Sequence, residues 1–204
     1  MNLELENAKI LYVKDYLSEE LQNKIFSKYK SIFDEETNKK VNDNDKIYKL
    51  NRKTLVFIDK NLSNYIIPKI WGEYVTIMTF DDEIKEIKNK LEKEFDYKFN
   101  ICLCNYYPNG KSNISFHSDN EEKGDIECIG SISIGATREF AFRKKGDPTK
   151  EIIKKINLES GSLLVMDSGC QQNYEHALLV DKEIKEPRLN ITFRHFKFEQ
   201  YSNK

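Results

Sequence analysis

Two of the three histidines in this 204-residue chain stand where a metal ion could be bound. The segment His117-Ser118-Asp119 places an imidazole and a carboxylate two residues apart, and residues i and i+2 of an extended strand end point to the same side. His176 lies far downstream, in Tyr174-Glu175-His176, and could supply a third ligand. Two histidines and one carboxylate form a facial set that binds iron(II) and leaves positions open for a co-substrate and dioxygen.

The His-x-Asp pair is not specific by itself, because such short motifs recur by chance. A histidine that bonds a neighbouring carboxylate on a loop would show the same spacing.

The sequence near residue 190 adds a second observation. In Arg188–Arg194, period-two alternation puts four polar side chains on one face and Leu189, Ile191 and Phe193 on the other. The polar face holds Arg188, Asn190, Thr192 and Arg194.

The sequence allows two interpretations of that polar face. It could be solvated, as on an ordinary half-exposed strand. If the strand instead lines a barrel, Arg188 and Arg194 point into a cavity, where buried charge is costly unless it is paired. The two carboxylates of 2-oxoglutarate would pair both guanidiniums. The segment from Ile101 to Tyr107 adds Asn105 and Tyr107 on one face, where they could bond a keto acid; a turn-proximal Asn and a core Tyr are the alternative.

Together these residues resemble the AlkB family of Fe(II)/2-oxoglutarate-dependent dioxygenases, which act as nucleic-acid demethylases. The motifs follow the family's order: Asn105-x-Tyr107, His117-x-Asp119, His176, then Arg188-x-Asn190-x-x-x-Arg194. The segments 132–140 and 160–166 also look like strands of that family. The resemblance covers roughly residues 50 to 198.

The resemblance implies a mainly β, α+β fold: a double-stranded β-helix, or jelly roll, with buttressing N-terminal helices. It implies Fe(II) bound by His117, Asp119 and His176. It also implies 2-oxoglutarate as co-substrate, with Arg188 on the distal carboxylate and Arg194 near the carboxylate that chelates iron. Asn105, Tyr107 and Asn190 would assist. His195 has no role in that pattern, and strand alternation places it on the opposite face from Arg194.

The implied reaction is oxidative demethylation of N-alkylated bases such as 1-methyladenine or 3-methylcytosine in DNA or RNA, with O2 consumed and formaldehyde, succinate and CO2 released. A recognition lid is expected over about residues 46–80, because loops on a rigid scaffold carry recognition. We expect Arg52, Tyr48, Phe57 and Glu121 at the substrate. Relatives often read His-x-Asp-Asp-Glu, whereas this chain has Asn120, which puts the substrate preference in question.

Other basic or aromatic residues could either contact nucleic acid or have a purely structural role. The segment Lys46–Lys53 could contact phosphates, or it could be a solvated basic face. Arg143, Lys144 and Lys145 form a second candidate phosphate contact. Trp71 is as compatible with a core anchor as with a base-stacking residue.

These side chains require a scaffold of helices followed by short strands. Ser18–Phe33 has the apolar period of a helix, with Ser18 as its N-cap, and a second helix is expected after Asp81 and Asp82. The polar stretch 35–45 indicates a loop. Eight strands are predicted at 100–106, 114–117, 128–134, 139–143, 152–158, 162–166, 175–180 and 188–198. We expect one domain over 1–204, with helical support and lid to about 98 and the jelly-roll core over about 99–198.

The net charge of −1 excludes a whole-molecule basic field, so binding to nucleic acid would depend on local patches. A 2-oxoglutarate-dependent hydroxylase of a protein or small molecule therefore remains an alternative, as does a non-catalytic nucleic-acid-binding module. No secretory signal or membrane span is evident, and the four cysteines lack zinc-site spacing. We expect buried thiols in an intracellular monomer, cytoplasmic or nuclear, that does not engage a membrane.

Overall fold

The computed structural model describes residues 1–35, 40–43, 46–49, 51–62, 76–119 and 124–196. Its helices are α1 (Glu19–Glu35), α2 (Asp82–Phe95) and the short α3 (Cys170–Asn173), with a 3₁₀ turn at Lys60–Leu62. The strands in chain order are β1 (Asn2–Leu5), β2 (Ala8–Val13), β3 (Lys40–Asp43), β4 (Lys46–Lys49), β5 (Lys53–Ile58), β6 (Thr76–Thr79), β7 (Ile101–Tyr107), β8 (Ile114–His117), β9 (Gly124–Gly135), β10 (Arg138–Lys144), β11 (Ile152–Leu158), β12 (Leu163–Met166), β13 (Tyr174–Leu178) and β14 (Arg188–Phe196).

Two sheets form the jelly roll that the resemblance implied. The larger sheet has eight strands in the order β1-β2-β12-β9-β14-β7-β5-β6, and the smaller has four in the order β11-β10-β13-β8. A separate hairpin pairs β3 with β4. The predicted eight strands are all present, with ends that shift by up to four residues. Among the described residues, no helix has both the length and the apolar composition needed to cross a membrane.

The two long helices pack on the outer face of the large sheet. Ser18 caps α1 as predicted, because its Oγ accepts a hydrogen bond from the Leu21 N–H at 3.3 Å. Asp81 caps α2 by accepting from the Ile84 N–H at 3.0 Å. The apolar face of α1 is buried with that of α2 in one core cluster with the sheet. Full burial of such aliphatic and aromatic side chains stabilises the fold by roughly 1.5–3 kcal/mol each.

The strand β14 lies at the centre of the large sheet, between β9 and β7. Leu189, Ile191 and Phe193 are fully buried in the helix-side core. The alternate residues face the space between the two sheets and line its cavity. The period-two prediction is therefore confirmed, and the polar face of this strand is interior and not solvated.

A second apolar cluster joins the two sheets around that cavity. It combines Ile129 and Met166 of the large sheet with Phe140, Phe142 and Leu178 of the small one. The cavity is thus bordered by apolar side chains, and its polar side chains come from both β14 with its neighbours and the β8–β13 side of the small sheet.

The first half of the chain contributes more strand than expected. The strands β1, β2, β5 and β6 all belong to the large sheet, so a boundary near residue 98 does not separate supporting elements from sheet strands. Residues 40–43, expected in a loop, form β3 of the hairpin. Polar composition was the basis of that prediction, and cross-strand backbone pairing outweighed it.

Candidate active site

The three expected metal ligands converge at one end of the cavity. His117 ends β8, and His176 is its direct partner in the neighbouring strand β13. Asp119 follows two residues after His117, and the ligand atoms of all three residues lie within 4.8 Å of one another. His117 Nε2 is 3.8 Å from Asp119 Oδ1, and His176 Nε2 is 3.6 Å from Asp119 Oδ2.

Both imidazoles direct Nε2 at the Asp119 carboxylate. His117 Nδ1 lies 2.8 Å from the Ser115 carbonyl oxygen, an acceptor that fixes the proton on Nδ1 and leaves Nε2 as a ligand. The His176 ring stacks on Phe140 with 5.3 Å between centroids. Burial lowers the pKa of His176 to about 3, so this ring is neutral at physiological pH.

Asp119 is held from two directions. Its Oδ1 accepts a hydrogen bond from the Arg194 guanidinium at 2.8 Å, and its backbone N–H donates to Gln171 Oε1 at 2.9 Å. Burial opposes ionisation of this carboxyl, but the positive charge of Arg194 and the two histidines outweigh it and keep the pKa below its usual value. Asp119 is therefore a buried anion that Arg194 stabilises.

This donor set fits a first-row divalent ion. An ion with bonds of about 2.1 Å holds neighbouring ligands about 3 Å apart, so the present separations require a contraction of less than about 1 Å for the closest pairs. Two nitrogens and one carboxylate form the facial arrangement of oxygen-activating iron sites. His176 Nδ1 is buried and lacks a hydrogen-bond partner within the described part of the chain, so its ring orientation depends on packing.

Arg188 provides a buried cation in the same cavity. It is 2% exposed, donates to Ser133 Oγ at 2.8 Å, and lies 5.3 Å from the Tyr107 ring centroid. No carboxylate within the described residues pairs with it, and its Nε has no hydrogen-bond partner there. Burial lowers the pKa of this guanidinium to about 10, with the nearby charge of Arg138 lowering it further and a hydrogen bond with Tyr107 opposing the shift. A carboxylate from a ligand would relieve that cost.

Asn105 presents its amide to the cavity in a defined orientation. Its Oδ1 accepts from Thr54 Oγ1 at 2.8 Å and from Arg52 Nε at 3.3 Å. An arginine Nε can only donate, so the atom that faces it must be the amide oxygen. The amide NH2 is therefore the group left to donate to a carboxylate or keto oxygen.

Asn190 is occupied within the protein. Its Nδ2 donates to Ser131 Oγ at 2.8 Å and to the Ile132 carbonyl at 2.9 Å, while its Oδ1 accepts from Thr192 Oγ1 at 3.0 Å. The side chain lines the cavity but braces β14 against β9. Tyr107, which is 2% exposed, also lines the cavity.

The expected substrate residues are placed less uniformly. Arg52 contacts Asn105, as described above. The prediction that Phe57 contacts the substrate is wrong. This side chain is fully buried on the helix side of β5 and packs against Tyr29 with 5.2 Å between ring centroids. Its parity along β5 is opposite to that of Thr54, so it faces the helices and no base can reach it. Glu121, Asn120 and Trp71, and the side chain of Tyr48, lie outside the described residues.

The basic residues have structural partners. Lys53 donates to the Phe33 carbonyl near the end of α1. Arg143 bonds Glu175 at 2.6 Å, Lys144 lies 3.3 Å from Glu6, and Lys145 donates to the Gln171 carbonyl at 3.3 Å. The candidate phosphate contact at 143–145 is thus largely engaged within the protein. His195 contacts the Lys98 carbonyl at 3.2 Å, away from the cavity.

Three residues around the site were missed by sequence reasoning. Thr54 and Gln171 hold Asn105 and Asp119, and Arg138 is 1% exposed and donates to the carbonyls of residues 109, 110, 112 and 179. Strand parity does not single out Thr54, because the apolar Val56 and Ile58 share its face of β5. The partners of Gln171 and Arg138 are 26 to 52 residues distant in sequence, and no local pattern reveals them. All four cysteines are buried, as expected.

Comparisons with known proteins agree with this geometry. A family model for the 2OG-Fe(II) oxygenase superfamily matches residues 9–194. The human alpha-ketoglutarate-dependent dioxygenase alkB homolog 3 is 39% identical over 118 residues, covering 54% of this chain and 41% of that protein. The human DNA oxidative demethylase ALKBH2 is 33% identical over 117 residues, covering 54% of this chain and 45% of that protein. The chain thus aligns with less than half the length of these curated relatives.

Solved structures add evidence on the fold. The structure of OsALKBH1 matches with a TM-score of 0.65 and 18% sequence identity, covering 96% of this chain and 100% of that one. At this level of identity, the likeness shows the fold alone. It agrees with the two-sheet architecture described above.

Proposed function

The chain belongs to the 2OG-Fe(II) oxygenase superfamily, and on that premise we propose that it demethylates N-alkylated bases of the 1-methyladenine or 3-methylcytosine type in DNA or RNA. Its cofactor is Fe(II) and its co-substrate is 2-oxoglutarate, as the family implies and as the His117, Asp119 and His176 cluster fits. The products we propose are the demethylated base, formaldehyde, succinate and CO2. Similarity to relatives named as a DNA oxidative demethylase and as alkB homologues supports this substrate class.

One observation supports the proposed chemistry more than any other. The metal-ligand cluster lines the same cavity as the buried Arg188, for which the described residues provide no carboxylate partner. A purely structural metal site needs no isolated cation beside it, and a buried guanidinium without a carboxylate is costly. A dicarboxylate that reaches from the metal to Arg188 would account for both features.

We propose that His117, Asp119 and His176 hold the iron through Nε2, a carboxylate oxygen and Nε2. Iron with 2-oxoglutarate and O2 supplies an oxidant able to hydroxylate an N-methyl group, which then leaves as formaldehyde. The protein fixes the ligands in place: the Ser115 carbonyl sets the His117 tautomer, and packing on Phe140 sets the His176 ring. Because burial lowers the pKa of His176 to about 3, a proton does not compete with the metal for this ring at neutral pH.

The co-substrate pocket would bind by charge and by amide orientation. Arg188 would pair the distal carboxylate. Asn105 would donate its NH2 to the keto-acid end, while Arg194, already on Asp119, lies where it can also face the carboxylate nearest the metal. Ile114, Phe140, Met166 and Leu178 line the cavity and limit water near the reactive position.

The methylated base must leave its stack to approach the metal, and a lesion that blocks pairing lowers that cost. We propose Arg52 at the mouth of the cavity and Glu121 beside the base, with Glu121 accepting a hydrogen bond from a base amino group. Tyr48 would contribute from the β3–β4 hairpin.

The test is a panel of single- and double-stranded DNA and RNA oligonucleotides with one methylated base, incubated with Fe(II), 2-oxoglutarate and O2. Mass spectrometry should show loss of one CH2 unit from at least one strand, and Asp119→Ala should show none. A panel left unmodified while succinate accumulates would instead favour a hydroxylase of a protein or small molecule. Strand binding unaffected by Asp119→Ala, without succinate, would indicate a binding module.

A further inference from the structure

A buried hydrogen bond connects the metal-ligand segment to the helix that precedes the distal histidine. Gln171 Oε1 accepts from the backbone N–H of Asp119 at 2.9 Å, across 52 residues of sequence. Gln171 is 1% exposed and Asp119 is 5% exposed. Because a backbone N–H can only donate, the glutamine atom that faces it is the oxygen. The amide nitrogen of Gln171 is directed at Met166 Sδ, 3.6 Å away.

The backbone of α3 is anchored without help from Asp119. Tyr174 Oη donates to the Glu6 carbonyl at 2.7 Å, and Asn173 Nδ2 donates to the Asn7 carbonyl at 3.0 Å. The Lys145 N–H donates to the Asn173 carbonyl at 2.8 Å. Gly169 has a φ of +82°, and a Cβ there would lie 1.9 Å from the Asn7 carbonyl oxygen. The β1–β2 turn and β10 therefore fix α3, and Gln171 projects from a fixed base.

This arrangement relates two metal ligands that are distant in sequence. The helix α3 leads directly into β13, so His176 follows Gln171 by five residues on the same anchored segment. Through Gln171, that segment also accepts a hydrogen bond from the peptide N–H of Asp119. The 3.6 Å separation between His176 Nε2 and Asp119 Oδ2 is therefore set partly by the reach of one glutamine side chain.

We propose that Gln171 is a positioning residue for the metal centre, which holds the Asp119 peptide so that the carboxylate meets the two imidazoles at the spacing of one ion. This inference rests on the proposed iron site. Without the amide oxygen, the buried Asp119 N–H would lack its acceptor, and the peptide would turn towards another one. Outer-shell partners of this kind typically change metal affinity by roughly 10- to 100-fold when they are removed.

The experiment measures Mn(II) binding, since Mn(II) is a redox-stable substitute for Fe(II) that suits the same ligands. Titration calorimetry and electron paramagnetic resonance are carried out on the full chain for the wild type, Gln171→Met and Gln172→Met. Methionine matches glutamine in length but removes the acceptor. Gln172 is the adjacent residue of the same helix and is exposed, so it is a matched control. Gln171→Asn, which shortens the side chain by one methylene and remains polar, is the second variant if Gln171→Met folds poorly.

We expect Mn(II) dissociation constants about tenfold or more higher for Gln171→Met and Gln171→Asn, an altered resonance spectrum of bound Mn(II), and wild-type behaviour for Gln172→Met. Lower thermal stability with unchanged Mn(II) affinity would show that Gln171 is merely structural and would overturn the inference. A wild-type chain that bound no Mn(II), like Asp119→Ala, would overturn the proposed iron site and this inference with it.

Discussion

Arg194 and Asp119 form a buried ion pair at the centre of the site, with 2.8 Å between the guanidinium Nη2 and the carboxylate Oδ1. The two side chains are 13% and 6% exposed, so neither charge is well solvated. The pair joins the proposed metal centre to the proposed co-substrate pocket. A carboxylate held in this way remains ionised and oriented before any ion arrives, which favours metal binding at neutral pH.

Replacing Asp119 by alanine should remove a metal ligand and leave Arg194 buried without that partner. Loss of one partner of a buried pair is expected to lower the free energy of unfolding by about 3–5 kcal/mol. Mn(II) affinity and turnover should fall by more than the roughly 10- to 100-fold cost of losing an outer-shell contact. Denaturant unfolding and Mn(II) titration measure both effects.

The control for that variant is Asp34→Ala, which removes an exposed carboxylate whose partner is Lys30. It should leave metal affinity unchanged and alter stability by less than about 0.5 kcal/mol. Undiminished Mn(II) affinity in Asp119→Ala would place the metal elsewhere.

Arg188→Met should separate stability from co-substrate binding. Removing a buried cation that lacks a carboxylate partner among the described residues should leave the ligand-free protein as stable as the wild type or more stable, by up to about 4 kcal/mol. Binding of 2-oxoglutarate to the Mn(II)-loaded protein should weaken by about 2–5 kcal/mol. Thermal unfolding with and without 2-oxoglutarate measures both quantities in one experiment.

Arg143→Met is the matched control, because Arg143 pairs with Glu175 and does not line the cavity. It should leave the 2-oxoglutarate response intact. An unaltered response in Arg188→Met, together with lost stability, would contradict the role proposed for Arg188.

Thr54→Val should raise the KM for 2-oxoglutarate about fivefold with little change in kcat, since it removes one of the two donors that orient the Asn105 amide and a hydrogen bond contributes about 1 kcal/mol. Thr54→Ser keeps the hydroxyl and should restore the wild-type KM. Steady-state kinetics at varied 2-oxoglutarate concentration measures the effect. Equal KM values for the valine and serine variants would count against this orienting role.

Glu83 predicts a specific pH dependence of stability. Hydrogen bonds from Lys24 and then Lys28 lower the pKa of Glu83 to about 2. A carboxyl with a lowered folded-state pKa stabilises the fold above its unfolded pKa of about 4.3, and this contribution is lost as the pH falls from there towards 2. Because Lys24 is largely exposed, we expect Glu83→Gln to cost only about 1–2 kcal/mol at pH 7.

That difference between wild type and Glu83→Gln should shrink as the pH falls below about 4. Glu86→Gln, on the exposed side of α2, should show little difference at any pH. Chemical denaturation at several pH values measures this dependence. A constant difference down to pH 2 would contradict the ion-pair origin of the effect.

Sequence reasoning identified the polar face of β14 and the His117-x-Asp119 pair because both depend on local rules, whereas His176 was added through the family resemblance. Strand parity places Arg188 and Arg194 on one side, and the apolar residues between them indicate the other. The same rule does not assign the faces of β5, because residues 55–58 are all apolar and occupy both faces. Phe57 was assigned to the substrate by its aromatic character and its place in the expected lid, and packing against Tyr29 determined its position instead.

Other features could not be predicted locally. The β1–β2 hairpin is marked by an Asn7 with a φ of 56° between two alternating segments, but its place in the sheet depends on pairing with β12, more than 140 residues downstream. The roles of Gln171 and Arg138 depend on partners brought close only by the complete fold. Long-range contacts of this kind leave no periodic signal in the sequence.

The ratio of formaldehyde to succinate, measured on an oligonucleotide that carries one 1-methyladenine or 3-methylcytosine, tests the central claim most directly. A demethylase that couples 2-oxoglutarate turnover to its substrate should release the two products in near-equal amounts, with both absent in Asp119→Ala. Succinate formed at the same rate with methylated and unmethylated strands, and without formaldehyde, would contradict the demethylase assignment.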